Sequence, residues 1–188
     1  MARIPYPDIE KLPADVRTLL KQANLNIFKM WAHSANTIDL VMRLGAAQFA
    51  KLELSRSIRE LVTLFGGHAN SCEYEWFQHV ALAEAAGVTH TQIARLEHGN
   101  FDSFAFNPEE IAALKLAAAV LADPKVPDEV FDSARKYFSD RELVELVALV
   151  GYYWMLGRIA TVFEVDLDVA KGTAVYDAGL QVANGNKG

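Results

Sequence analysis

The candidates for proton transfer or nucleophilic attack are four side chains of the segment 60–79, namely Glu60, Cys72, Glu75 and His79. Cys72, Glu75 and His79 fall at offsets of zero, three and seven, which places them on one face of a helix because residues three or four apart are neighbours there. An imidazole titrates close enough to neutrality to accept and return a proton, and a carboxylate one turn away can share that work. The spacing predicts an acid–base couple of Glu75 and His79.

Glu60 lies on the helical segment that precedes this face. If the chain folds back at Gly66 and Gly67 to form an antiparallel helix hairpin, the Glu60 carboxylate approaches His79. We expect Glu60 to orient the imidazole. The alternative is a capping box in which Glu60 bonds the backbone of Ser57 at the start of its own helix.

Cys72 is the only cysteine of the chain. If Asn70 or Ser71 caps the following helix, Cys72 lies in its first turn, where unpaired amides and the helix dipole favour a thiolate. The alternative is a small, buried, apolar side chain. A single cysteine forms neither a disulfide within the chain nor a cysteine-histidine metal cluster, so we expect a cytoplasmic protein without a metal or other cofactor.

The composition favours one compact, soluble domain over residues 1–188, since 52% of the residues are hydrophobic. A net charge of -6, without runs of Lys or Arg, offers no surface for phosphate backbones, so nucleic acid is not an expected partner. Prolines and acidic residues interrupt positions 1–12, where a secretory signal needs apolar residues. The most apolar segment, 143–156, is too short to span a bilayer, so we expect no membrane association.

Apolar residues recur at three-and-four spacing along most of the chain, which predicts an all-α fold. The helices that this pattern predicts span residues 14–23, 37–52, 55–66, 72–86, 128–138 and 141–156. Further start signals occur at Thr89, Asn107 and Ser139, each followed by a reciprocal capping partner. Only the run 161–168 is ambiguous between helix and strand, and we expect the polar tail 185–188 to be disordered.

The stretch from Glu60 to His79 resembles the signature of the alkylhydroperoxidase D-like families, in which a glutamate, a Cys-x-x-Cys pair and a histidine share this spacing. The run 74–79, Tyr-Glu-Trp-Phe-Gln-His, is more similar to the carboxymuconolactone decarboxylase branch. Flanking blocks at 26–34 and 145–153 extend the resemblance to a family core of about residues 25–168, after an N-terminal extension of 1–24. Glu75 replaces the second cysteine, which leaves no thiol in the chain to resolve an oxidised Cys72.

The resemblance implies a bundle of antiparallel helix hairpins that assembles into a homotrimer or homohexamer through apolar helices such as 142–156. It also implies a carboxy-lyase that acts on a small carboxylated lactone or a related organic acid. His79 would move the proton and Glu60 would hold the imidazole in one tautomer. The residues that would shape the pocket or add a second donor are Tyr74, Glu75, Trp76 and Cys72, and Arg158 is a candidate for binding a substrate carboxylate.

Two other functions are consistent with these residues. An alkylhydroperoxidase-like antioxidant would use Cys72 with an external resolving thiol, and an oligomeric binding protein would keep the fold without activity. Peroxide consumption that is lost on Cys72→Ser favours the antioxidant. Lactone turnover that is lost on His79→Ala and retained by Cys72→Ser favours the decarboxylase.

Overall fold

The computed structural model describes residues 1–102 and 104–169. Helices account for 65% of this part of the chain and it contains no strand, which confirms the all-α prediction. After a 3-10 turn at Ile9–Lys11 the helices are α1 (Ala14–Gln22), α2 (Asn26–Trp31), α3 (Ile38–Ala50), α4 (Arg56–Ala69), α5 (Glu73–Ala85), α6 (His90–Leu96), α7 (Pro108–Ala122), α8 (Asp128–Ala134) and α9 (Asp140–Val162). The predicted disordered tail, 185–188, lies outside the described residues.

Helices α4 and α5 form the predicted antiparallel hairpin, but the prediction that the first helix ends at Gly66 is wrong. Both glycines lie inside α4. A Cβ on Gly67 would lie 3.2 Å from the backbone nitrogen of Trp76, so the missing side chain lets α5 approach α4 closely. The chain reverses later, at Ser71, which adopts a φ of 51°.

The core lies around α4, which packs against α5, α7 and α9. A second, smaller apolar cluster joins α1 to α3 through Val16, Leu20, Ile38 and Met42. In the N-terminal extension, α1 therefore packs against α3.

Helix α9 is longer than the sequence predicts, because it continues past Leu156 to Val162. By length and composition alone its 23 residues are sufficient to cross a membrane. Half of its most apolar window is buried inside the protein, where it contacts α4, α5 and α7. A helix at the centre of a soluble bundle is apolar on most of its surface because it packs against several neighbours, which accounts for the composition of α9.

Local capping signals fix three helix starts where the sequence predicts them. The capping boxes of Thr89 with Gln92, Asn107 with Glu110 and Ser139 with Glu142 are all formed. Helix α8 ends at Ala134 rather than at residue 138, and the ambiguous run 161–168 holds the end of α9 and no strand.

Helix α2 is not predicted by the sequence pattern, and long-range contacts explain why. The backbone amide of Asn26 donates to the carboxylate of Asp168 at 2.9 Å, so a residue from the far end of the described chain caps this helix. The side-chain amide of Asn26 also donates to the Asp166 carbonyl at 3.0 Å. A six-residue helix of this kind depends on tertiary contacts.

Candidate active site

Glu60 lies on α4, fully buried, and both of its carboxylate oxygens are bonded. Its Oε2 is 2.8 Å from Nδ1 of His79, and its Oε1 accepts a hydrogen bond of 2.8 Å from Nε of Arg59. The side chain of Ser55, rather than a box of Ser57 and Glu60, caps α4 by accepting the amide of Ile58. The capping-box alternative is therefore wrong, and the expected approach of Glu60 to His79 is present.

Two basic side chains next to Glu60 decide the ionisation of its carboxyl group. Burial raises the pKa of a carboxyl group, but His79 and Arg59 together outweigh burial and hold the pKa of Glu60 below its ordinary value. Because an ionised Glu60 only accepts hydrogen bonds, the network assigns the Nδ1 proton to His79. The other ring nitrogen, Nε2, is then left to face the second carboxyl group.

That second carboxyl group is Glu75, one turn before His79 on α5. Its Oε2 lies 3.6 Å from Nε2 of His79, which is beyond hydrogen-bonding distance. Burial raises the pKa of Glu75 to about 7, and His79 acts in the opposite direction without cancelling this effect. Glu75 can therefore gain or lose a proton near neutral pH, whereas Glu60 stays ionised.

Aromatic rings enclose the imidazole. Tyr153 of α9 meets the His79 ring edge-on, with centroids 4.9 Å apart, and Phe49 lies parallel to it at 6.5 Å. Tyr152 packs edge-on against Tyr153 and donates from its hydroxyl to the Val41 carbonyl at 3.1 Å. These rings reduce the access of water, so charges in the site interact more strongly than they do on a solvated surface.

Cys72 is itself the N-cap residue of α5 and is only 2% exposed. Its sulfur faces α9, where a Cβ on Gly157 would lie 3.6 Å from Sγ. Burial, and after it the charge of Glu75, raises the pKa of the thiol to about 11. The expectation of a stabilised thiolate is wrong, because these effects outweigh the backbone amides that the thiol meets at the helix start.

Tyr74 and Trp76 have structural contacts. The hydroxyl of Tyr74 accepts the backbone amide of Ile27 at 3.3 Å and donates to the carboxylate of Asp168, which ties α5 to α2. Trp76 is partly buried against the main apolar core. Among the contacts that the structure describes, none of those made by these two side chains involves the imidazole of His79, so their expected place in the pocket stays a prediction.

The segment that contains the α4–α5 hairpin is similar to a known protein family. Residues 36–123 match the model of the carboxymuconolactone decarboxylase family. An alkylhydroperoxidase AhpD core, the uncharacterized peroxidase-related protein from Ralstonia eutropha JMP134, has the same fold, with a TM-score of 0.77 and 20% identity over 96% of this chain and 95% of that one. The chain is therefore similar to the carboxymuconolactone decarboxylase family over residues 36–123, and it has the fold of an alkylhydroperoxidase AhpD core.

Two other proteins similar to this chain have names that describe different things. The uncharacterized protein YdfG of Bacillus subtilis (strain 168) is 29% identical over 109 residues, which are 57% of this chain and 74% of YdfG. The debrominase Bmp8, as a variant in complex with 2,3,4-tribromopyrrole, has a TM-score of 0.74 and 16% identity over 95% of this chain and all 100% of that one. At such identity the structural likeness shows the fold alone.

The guanidinium nearest the acid–base groups is that of Arg59, which is not among the residues that the sequence predicts for the site. Arg158, the predicted candidate, is exposed, donates to Oδ1 of Asn70 at 2.9 Å and lies over the ring of Trp154. Arg59 also donates to the Phe49 carbonyl at 3.2 Å. Its direct proximity to Glu60 in the sequence was the available signal, although adjacent opposite charges on a helix are usually solvated.

Proposed function

We propose that this protein is an acid–base enzyme, a carboxy-lyase that acts on a small carboxylated lactone or a related organic acid. One observation carries the proposal. A single imidazole lies between two buried carboxyl groups whose pKa values are shifted in opposite directions, down for Glu60 and up for Glu75. Such a divergence is typical of sites in which one group is a fixed anion and the other a proton donor or acceptor.

In this proposal Glu60 and Arg59 hold the imidazole, and Glu75 and His79 carry the proton. The Glu60 carboxylate fixes the Nδ1–H tautomer and stabilises the imidazolium that forms when Nε2 takes up a proton. When CO2 leaves the substrate, the carbon–carbon bond breaks and its electron pair is delocalised into the lactone carbonyl as an enolate. The proton held by Glu75 or by Nε2 of His79 is then delivered to the carbon that lost CO2.

The environment of Cys72 favours this chemistry over the antioxidant alternative. A buried thiol with a pKa raised to about 11 is almost entirely protonated at neutral pH, and the chain has no second cysteine to form a disulfide with it. Proton transfer between Glu75 and His79 needs no thiol.

The proposal is tested by measuring CO2 release from carboxylated lactones with the wild type, His79→Ala and Cys72→Ala. We expect His79→Ala to lower the rate by about 100-fold or more and Cys72→Ala to remain near the wild-type rate. If the wild type instead reduces peroxides at the expense of a dithiol, and Cys72→Ala abolishes that activity, the antioxidant function replaces the one proposed.

A further inference from the structure

Two buried glutamine side chains lack hydrogen-bond partners within the part of the chain that the structure describes. Gln48 and Gln78 are 5% and 6% exposed, and neither the oxygen nor the nitrogen of either carboxamide is bonded. Buried polar side chains are bonded in the large majority of cases, because losing water without gaining a partner is costly. Two unpartnered carboxamides near one site therefore need a specific explanation.

Both glutamines adjoin the acid–base groups. Gln78 precedes His79 on α5 and follows Glu75 by three residues, so its side chain shares the helix surface of Glu75. Gln48 lies on α3, and its backbone carbonyl accepts a hydrogen bond of 3.4 Å from Nη1 of Arg59. Gln78 therefore lies beside Glu75 and His79 on α5, and the segment of α3 that carries Gln48 contacts Arg59 through its backbone.

Gln48 is also close to the aromatic wall of the site. One turn before it on α3, the hydroxyl of Tyr152 occupies the space that a Cβ on Gly45 would need. Tyr152 packs against Tyr153, which contacts the His79 ring. The aromatic rings around the imidazole thus pack against the segment of α3 that carries Gln48.

We propose that Gln78, assisted by Gln48, binds a carbonyl or carboxyl oxygen of the substrate beside Glu75 and His79. A carboxamide offers two N–H donors and one acceptor, and N–H donors fit the oxygen of a lactone or of an organic acid. The Arg59 guanidinium is already engaged by Glu60 and by two backbone carbonyls, so amide donors take the place of a cation. The inference rests on the proposed function, which supplies the class of substrate.

A binding role and a structural role make opposite predictions for Gln78→Met, which keeps the length of the side chain and removes the amide. An unpartnered amide weakens the ligand-free fold, so methionine should leave Tm unchanged or raise it while binding is lost. A structural amide would instead lower Tm when it is removed.

The matched control is Gln92→Met. Gln92 is as buried as Gln78, but its carboxamide is bonded, since it donates to Glu110 at 3.0 Å and accepts the Thr89 amide at 2.9 Å. We expect this variant to have a lower Tm and unchanged binding.

The experiment measures Tm by calorimetry and, by titration calorimetry, the dissociation constant for 2-oxotetrahydrofuran-3-carboxylate, a lactone whose carboxylate is on the carbon next to the carbonyl. For Gln78→Met we expect a Tm no lower than that of the wild type and a dissociation constant raised about tenfold or more. A Tm as low as that of Gln92→Met, an unchanged dissociation constant, or a wild type that does not bind the lactone at millimolar concentration would overturn the inference.

Turnover separates this inference from the proposed function. If the lactone binds in a Gln78-dependent manner but releases no CO2, the binding assignment stands and the carboxy-lyase proposal fails. If CO2 release is lost on His79→Ala and unchanged in Gln78→Met, the function stands and the assignment of Gln78 fails.

Discussion

Glu75 and His79 stand one helical turn apart with Oε2 and Nε2 separated by 3.6 Å. This distance is too long for a hydrogen bond, but a small shift of one side chain closes it, and a substrate oxygen beside the two atoms can bond to both. Since Nδ1 on the other side of the ring is already bonded to Glu60 at 2.8 Å, only Nε2 is left to exchange protons with Glu75. The ionisation of Glu75 therefore controls what the site can do at a given pH.

We expect the rate to depend on the protonated form of Glu75. Because burial raises the pKa of this group to about 7, kcat/KM for a carboxylated lactone should fall as pH rises through about 7. Glu75→Gln should remove this limb of the pH profile along with most of the activity. A profile that keeps the same limb in Glu75→Gln would show that another group donates the proton.

The same group should make the fold less stable at higher pH. A carboxyl whose pKa rises from 4.5 when unfolded to about 7 when folded binds more protons in the folded state between these values, so the free energy of unfolding falls by about 3 kcal/mol over this interval. Urea unfolding at pH 5 and pH 8 measures the difference. Glu75→Gln should flatten it and the exposed Glu73→Gln should not, and equal slopes in both variants would contradict the prediction.

Removing Glu60 alone should be costly for the fold. Glu60→Gln leaves the buried Arg59 guanidinium without its counter-charge, and breaking a buried pair in this way costs about 3–5 kcal/mol. Replacing both with methionine should recover part of that loss. The exposed pair of Arg141 and Glu53 provides the control, because Glu53→Gln should change the free energy of unfolding by about 0–1 kcal/mol. Chemical denaturation that ranks Glu60→Gln with Glu53→Gln would refute the prediction.

Cys72 should be unreactive in the folded protein. With a pKa of about 11, about one thiol in a thousand is ionised at pH 8, and the sulfur is also buried. We expect Ellman's reagent to modify Cys72 only in denaturing urea. Rapid modification of the native protein would show a thiol that is accessible and ionised, as an antioxidant role requires.

Helix α9 should mediate association between copies of the chain. Its surface exposes 69% of Val144, 42% of Val147 and 46% of Trp154, which lie on one face of the helix at offsets of zero, three and ten. We expect a homotrimer or homohexamer in sedimentation velocity, dissociated by Val144→Glu. Tyr137→Glu, at an exposed apolar residue outside this helix, should leave it assembled, and a wild type that sediments as a 20.8 kDa monomer would rule the assembly out.

The helices that the sequence predicted are those with local causes. Capping boxes at Thr89, Asn107 and Ser139 need only residues within one turn, and all three formed. Gly67 was misread as a helix end because its role, a close crossing with α5, involves a contact that no local pattern shows. Helix α2 was missed for the same reason, since its cap comes from Asp168.

In the site, too, the features with local causes could be predicted and those that depend on tertiary contacts could not. The contact of Glu60 with His79 could be predicted because both residues lie on one hairpin with helical spacing. Tyr153 could not be placed at the imidazole, since it arrives on α9 from a distant part of the chain. The sequence left a thiolate and a buried apolar thiol open for Cys72, because the packing of α9 at Gly157 that buries the thiol and raises its pKa is a tertiary property.

The imidazole of the site, its two carboxyl groups and the guanidinium beside them come from the single α4–α5 hairpin, as His79, Glu60, Glu75 and Arg59. Contacts of such low sequence separation form early in folding and tolerate change elsewhere. Helices α3 and α9, by contrast, contribute Gln48, Tyr152 and Tyr153 from distant positions. Changes on these two helices can therefore alter the aromatic enclosure of the imidazole while the proton-transferring groups are inherited intact, so the hairpin is the segment to transplant when this acid–base chemistry is moved to another scaffold.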